Sequence, residues 1–343
     1  MSYFLPRFFL HSLEKKNSIH WLFFLLTFLP SILRSEVYLG ALGGRNGGEH
    51  IFETGNKYPN LSGIRGGSRI TYDRNYNFGG IEGGYFSKNF SLDGKFATTG
   101  WSVRTGNSRD EDFYLGQVSI ERGTKFSVAP LYLTDSAHTY TGSQNFADGQ
   151  GPSTVYEQRM SLFGKYFLSG ESSDPWVKRS RFYLTGGARY NYFKYVLYDV
   201  NQFNQRPFYY IPIGLGLSYS HSSLEYGGGV GGIIALGNFQ IEPSIIFLLG
   251  VNRFRDFHVQ RALNFIGENS GIGFLARVQV NYILSEKTQL RLGYEAHRMF
   301  TSGYFQTKGG LSYNDVLSNY LGKYSGYAST KEAYVEAGVV TRL

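Results

Sequence analysis

Phe239-Gln-Ile-Glu-Pro-Ser-Ile-Ile-Phe-Leu-Leu-Gly-Val251 is the stretch that decides the fold. On an extended chain, successive side chains point to opposite sides. Phe239, Ile241, Pro243, Ile245, Phe247, Leu249 and Val251 then form one face, and Gln240, Glu242, Ser244 and Gly250 the other. Three later segments repeat the pattern. Phe274, Ala276, Val278, Val280, Tyr282 and Leu284 alternate with Leu275, Arg277, Gln279, Asn281 and Ile283. Leu290, Leu292, Tyr294 and Ala296 alternate with Gln289, Arg291, Gly293 and Glu295, and Val335, Ala337, Val339 and Leu343 with Glu336, Gly338 and Arg342. Alternation over roughly nine to eleven residues marks a strand with lipid on one face and a polar interior on the other. A soluble β-sandwich would have to supply a partner for every Arg and Glu on its core face. The expectation is all-β: a transmembrane antiparallel up-and-down β-barrel with long extracellular loops.

Composition agrees. The 343 residues include 44 Gly, 28 Tyr and 28 Phe, with 42% apolar residues and no cysteine. Disulfides and a lipid-modified cysteine are therefore excluded. Net charge is +8, of which Arg7, Lys15, Lys16 and Arg34 against Glu14 place +3 before residue 36. No basic run or stacking motif points to nucleic acid, and lipid phosphate is the expected anionic partner. Trp21-Leu-Phe-Phe-Leu-Leu-Thr-Phe-Leu-Pro30 has the length of a signal-peptide core. Residues 1–35 are read as a cleaved signal and 36–343 as the barrel, the alternative being an uncleaved anchor.

Strands are expected at 37–44, 64–86, 90–106, 156–168 and 181–198, with a loop near 50–62 and a long polar one over 107–155. Residues 208–235 form either two strands or one bent traverse. Single-chain bacterial barrels have even strand numbers. One traverse gives ten strands and puts 107–155 and 252–268 on the same, outer, side. So narrow a barrel should fill its lumen with side chains, which argues against a general porin.

Two couples stand out for chemistry. Asp110-Glu-Asp112 and Asp256-Phe-His258 each place ionisable groups at i and i+2, on one face of an extended chain. Continuing the inward face of 240–250 by twos reaches Asn252, Phe254, Asp256 and His258 at the barrel mouth. The other face reaches Arg253 and Arg255 at the level of lipid headgroups, where guanidinium groups can grip phosphate. A carboxylate beside a histidine fixes its tautomer and raises its basicity, and neighbouring carboxylates perturb each other's ionisation. Acidic loop tips, an Asp-x-Asp cation clamp and an ordinary loop Asp and His are the plain alternatives. Thr134-Asp135-Ser136-Ala137-His138 adds a further Asp and His, while His50, His221 and His297 look structural. No zinc spacing, Gly-x-Ser-x-Gly or phosphate loop is present, so no metal or cofactor is expected.

The chain resembles the omptin family of outer-membrane proteases. Leu39-Gly-Ala-Leu-Gly-Gly-Arg45 is similar to the family's first strand, and Phe90-Ser-Leu-Asp-Gly-Lys-Phe-Ala-Thr-Thr-Gly-Trp-Ser102 to its third. Gly106-Asn-Ser-Arg-Asp-Glu-Asp-Phe113 is similar to the segment carrying one catalytic Asp pair, and Asp256-Phe-His258 to the opposed Asp-x-His. Thr134 to His138 is a looser match to a loop signature. The resemblance implies a ten-stranded barrel standing well above the membrane. It implies an endopeptidase in which His258, oriented by Asp256, activates water while Asp110 and Asp112 position it. It also implies a need for lipopolysaccharide and cleavage beside basic residues. Glu49, with a one-residue shift, matches one acid of the basic-specificity pocket. Phe254 stands where the second acid falls and breaks that pattern. The rival readings on the same scaffold are a non-catalytic barrel binding a host surface ligand, through 107–155 and 303–328, and a small channel.

Overall fold

The computed structural model describes residues 36–57, 64–113, 145–168, 172–204, 214–320 and 322–343; the expected signal segment and residues 134–138 lie outside them. Among the described residues, thirteen strand segments form one antiparallel sheet that closes on itself. They are β1 (Glu36–Lys57), β2 (Ile64–Asp73), β3 (Tyr76–Ser87), β4 (Phe90–Thr98), β5 (Val103–Phe113), β6 (Asn145–Phe167), β7 (Arg181–Tyr198), β8 (Asn201–Asn204), β9 (Leu215–Leu236), β10 (Phe239–His258), β11 (Leu263–Ile283), β12 (Thr288–Gly309) and β13 (Tyr324–Arg342). A short helix, α1 (Tyr313–Ser318), follows β12. β1 pairs with β13 from Tyr38↔Arg342 to Thr54↔Gly326 and closes the ring.

The segments make ten staves, three of them interrupted. β2 and β3 are one stave, broken at Arg74 and Asn75; β4 and β5 are another, broken at 99–102; β7 and β8 are a third. The lower wall runs β1–β3–β4–β6 and the upper wall β1–β2–β5–β6. The two adjacent breaks are pinned. The Arg74 amide donates to the Gly48 carbonyl, and the Thr98 hydroxyl donates to the Glu157 carbonyl. Gly100, at φ +76°, turns the chain there, a conformation that costs glycine little.

Hydrophobic alternation places the membrane. On β10, Phe239, Ile245, Phe247, Leu249 and Val251 are exposed on the outer wall, matched by Phe182 and Leu184 on β7 and by Leu290, Leu292 and Tyr294 on β12. Strands of 22 residues at about 3.3 Å per residue, tilted about 40°, rise roughly 55 Å, against an apolar band of about 25 Å. The upper half therefore stands clear of lipid. Tight connections and both described termini, Glu36 and Leu343, lie at the opposite, lower end.

The lumen is filled in layers. At the base, the 172–180 turn folds under the wall, held by bonds from Gln240 and Gln289 to its carbonyls. It inserts Trp176 beside Tyr38 and Phe86, with ring centroids 6.2 Å from each. Above it, Lys165 bridges Asp93 and Glu242 at 2.7 Å each, Arg291 meets Glu82 at 2.9 Å, and Lys95 pairs with Glu336. Higher still, Arg74, Arg189 and His297 converge on the buried Glu332 at 2.8, 2.7 and 2.9 Å. An aromatic layer of Phe52, Tyr72, Phe193, Tyr195, Tyr219 and Phe254 closes the barrel below the mouth.

Several expected boundaries move. The strand expected to end at Gly106 continues to Phe113, and its partner begins at Asn145, so Asp110 and Asp112 lie on a paired strand and not in a loop. β1 likewise runs to Lys57, β10 to His258 and β12 to Gly309. Above the membrane the outer face meets water, so ladder hydrogen bonds persist where apolar alternation has ceased.

Candidate functional site

β10 carries its inward parity unbroken from the membrane to the mouth. Asn252, Phe254 and Asp256 are buried and His258 is one-fifth exposed, while Arg253 and Arg255 face outward. His258 Nε2 lies 3.0 Å from Asp256 Oδ2. Burial alone would lower the affinity of this imidazole for a proton. The Asp256 carboxylate, its hydrogen bond and the more distant Asp110 outweigh burial and the repulsion of Arg261, and push the ring from 6.5 to about 9.

β5 stands four staves from β10 around the ring of ten, close to opposite. Directly paired residues of an antiparallel ladder share a face. Asp110 is opposite Ile70 and Asp112 opposite Ser68, and Ile70 packs inside the lumen with Phe52 and Tyr72. Register thus puts Asp110 on the lumen side; the Asp112 side chain lies outside the described residues. The Ser68 hydroxyl donates to Asp110 Oδ1 at 3.1 Å. Asp110, Asp256 and His258 thus gather at one end of the barrel.

Between the couples stands Tyr72. Burial holds its hydroxyl well above the usual tyrosine range, and Asp256 and Asp110 both add to the effect. The Tyr72 hydroxyl and Asp256 Oδ1 are both buried without a hydrogen-bond partner among the described residues. Buried polar atoms call for partners, and a water supplies both a donor and an acceptor. Tyr219 also feels Asp256; its hydroxyl links His50 Nε2 at 2.9 Å to His221 Nδ1 at 3.2 Å. Burial holds both imidazoles neutral, His221 down at about 3. The structural reading of these histidines matches their place in the lumen. Ser68, Tyr72 and Tyr219 were missed in the sequence, although counting by twos along β2 and β9 reaches them.

Glu49 does not join the site. Inward positions of β1 are even-numbered, with Asn46, His50 and Phe52 buried, so Glu49 faces outward opposite Lys331 and Asp73. The one-residue shift in the resemblance matters here: the inward side chain is His50. At the other position expected to hold an acid, Phe254 packs on Phe52 with centroids 4.5 Å apart. Arg253 forms an exposed 2.8 Å ion pair with Glu268, and Arg255 donates to Asn264 Oδ1 at 2.7 Å.

A family model described as "Putative porin" matches residues 57–337. The chain belongs to that family. No curated protein matches the sequence. Among solved structures, the chain is similar to the outer membrane protease OmpT of Escherichia coli at 11% identity and a TM-score of 0.66, covering 90% of this chain and 97% of that one. The translocator domain of the autotransporter NalP from Neisseria meningitidis follows at 10% identity and 0.34, covering 95% and 96%. OprG of Pseudomonas aeruginosa follows at 9% and 0.30, covering 90% and 95%. At 11% identity the likeness to OmpT is one of fold. This member of the family is a β-barrel of the cell outer membrane, its outer wall in lipid.

Proposed function

We propose that the mouth of the barrel is a peptide-cleaving site. The observation that carries this reading is the 3.0 Å pairing of His258 with the buried Asp256, within electrostatic reach of Asp110 on the facing wall. In the reaction, His258 takes a proton from water as its oxygen bonds to the peptide carbonyl carbon. The C–N bond then breaks and the proton passes to the leaving amine. Asp256 orients the ring and stabilises its charged form, as a base–orienter pair requires. In this reading Asp256 Oδ1 and the Tyr72 hydroxyl hold the water, and Asp110 and Asp112 position it. The ring holds its proton at neutral pH, so the competent base grows as pH approaches 9. Refolded protein is tested on fluorogenic peptides with and without lipopolysaccharide. Cleavage abolished by His258→Ala is expected; no cleavage in either condition ends this reading. Arg253 and Arg255 are proposed as contacts for anionic lipid headgroups, checked by lipopolysaccharide retention by the doubly alanine-substituted protein.

The exposed Leu311, Tyr313 and Tyr320, in and beside α1, favour a second reading, a barrel that binds a surface ligand without chemistry. Ligand binding that survives loss of Asp110, Asp112, Asp256 and His258 together would distinguish it.

A further inference from the structure

Resting on the peptide-cleaving reading, we infer that the site takes a polypeptide with an aromatic or large aliphatic side chain beside the attacked bond, and disfavours a basic one. The flank next to His258 is aromatic. Phe265 lies against the imidazole with centroids 5.1 Å apart, Phe305 against Phe265 at 5.6 Å, and Tyr324 stacks on Phe305 at 5.3 Å. Phe265, directly opposite Asp256 on the neighbouring strand, shares its inward face. Phe305 is buried behind, while Phe265 and Tyr324 are only partly buried and keep ring surface open. Tyr324 is held in place by a bond from its hydroxyl to the Ser318 carbonyl of α1, and Thr307 is bonded to the Ser318 hydroxyl. The flank is thus a fixed apolar wall and not a collapsed loop.

A cationic side chain would find poor company on this flank. Asp315 is engaged by Arg261 and Asp256 by His258. Glu268 is paired with Arg253 on the outer wall, and Arg261 is half exposed at the rim. Deeper in the barrel, Phe52 and Phe254 occupy the floor. Transfer of an aromatic side chain onto such a wall is favourable, whereas a charged one would lose hydration against rings that offer it no ion pair.

The test uses full-length protein in lipid nanodiscs, so that detergent cannot occupy the flank. Two fluorogenic peptides differ only in a central Phe or Arg. The expected kcat/KM is about tenfold or more higher for the Phe peptide, the scale at which an apolar pocket discriminates. Phe265→Ala, and separately Tyr324→Ala, should reduce that preference; either variant is scored only if it gives a folded, heat-modifiable band. Binding of the same peptides, labelled with fluorescein, is followed by anisotropy on His258→Ala protein. Tighter binding of the Phe peptide without any cleavage by the wild type upholds the aromatic flank while ending the protease reading. Equal or better handling of the Arg peptide, in cleavage or in binding, overturns the inference. So does failure of both peptides to bind and to be cleaved.

Discussion

Asp256→Asn removes the charge that sets the state of His258. A tenfold change in proton affinity is worth about 1.4 kcal/mol, so the rise from 6.5 to about 9 amounts to about 3 kcal/mol in favour of the protonated ring. With the carboxylate gone, burial remains and acts downward, so the ring should titrate near or below 6.5. The linkage follows in sign. A group whose folded pKa is raised contributes stability that is fully present below 6.5 and lost as pH rises through about 9. The stability difference between wild type and Asp256→Asn should therefore be widest at pH 6 and shrink steadily toward pH 9.5. Histidine ring nitrogen shifts, recorded by NMR on nanodisc samples and assigned with His258→Ala, read the titration directly. Urea unfolding at several pH values reads the linkage. A wild-type His258 titrating near 6.5, or one still near 9 in Asp256→Asn, would refute the argument that this carboxylate governs the ring.

Glu332→Gln should cost about 3–5 kcal/mol in urea unfolding, because it leaves Arg74 and Arg189 buried without their shared carboxylate. Gly271→Val should abolish the folded, heat-modifiable band. A β-carbon at Gly271 would sit 1.8 Å from the Phe300 carbonyl oxygen, a backbone clash no rotamer relieves, whereas Gly100→Asn, in open space at φ +76°, should cost less than about 1 kcal/mol. Planar-bilayer recordings should give no stable open-channel conductance from wild-type protein, since Trp176, the ion pairs and the aromatic layer fill successive levels of the lumen.

The membrane-spanning part was legible because lipid outside and charge inside force opposite side-chain choices at alternate residues. That contrast sorted Ile245, Phe247 and Leu249 from Gln240 and Glu242, and its parity carried on to Asp256 and His258. It failed for Asp110 and Asp112. The break at 99–102 and the register shift between Arg104 and Asn107 interrupt the count by twos, so the face of β5 follows only from its pairing with β2. Glu49 illustrates the cost of one residue: a slip by one in a strand exchanges inside for outside, and the slip put an outward acid where His50 belongs. Trp176 was illegible for another reason. Its turn is polar and short, and bonds to residues far away in sequence, among them those from Gln240, Gln289 and Arg342, fold it under the barrel.

A filled lumen also bears on what the mouth can do. A conducting barrel needs a continuous watery path, and such a path would bring bulk water beneath Asp256. Here Phe52, Tyr72, Tyr219 and Phe254 form an aromatic floor that separates that carboxylate, 2% exposed, from the lumen below. In so poorly hydrated a position, attraction between Asp256 and the His258 ring is weakened little by solvent, while His258 itself still meets water from above. The same aromatic side chains that block passage therefore strengthen the Asp256–His258 pair. Acids at positions 50 and 254 would do the reverse, drawing water and competing cations toward His258. His50 and Phe254 leave Asp256 as the dominant anion for that ring, with Asp110 the next, across the mouth.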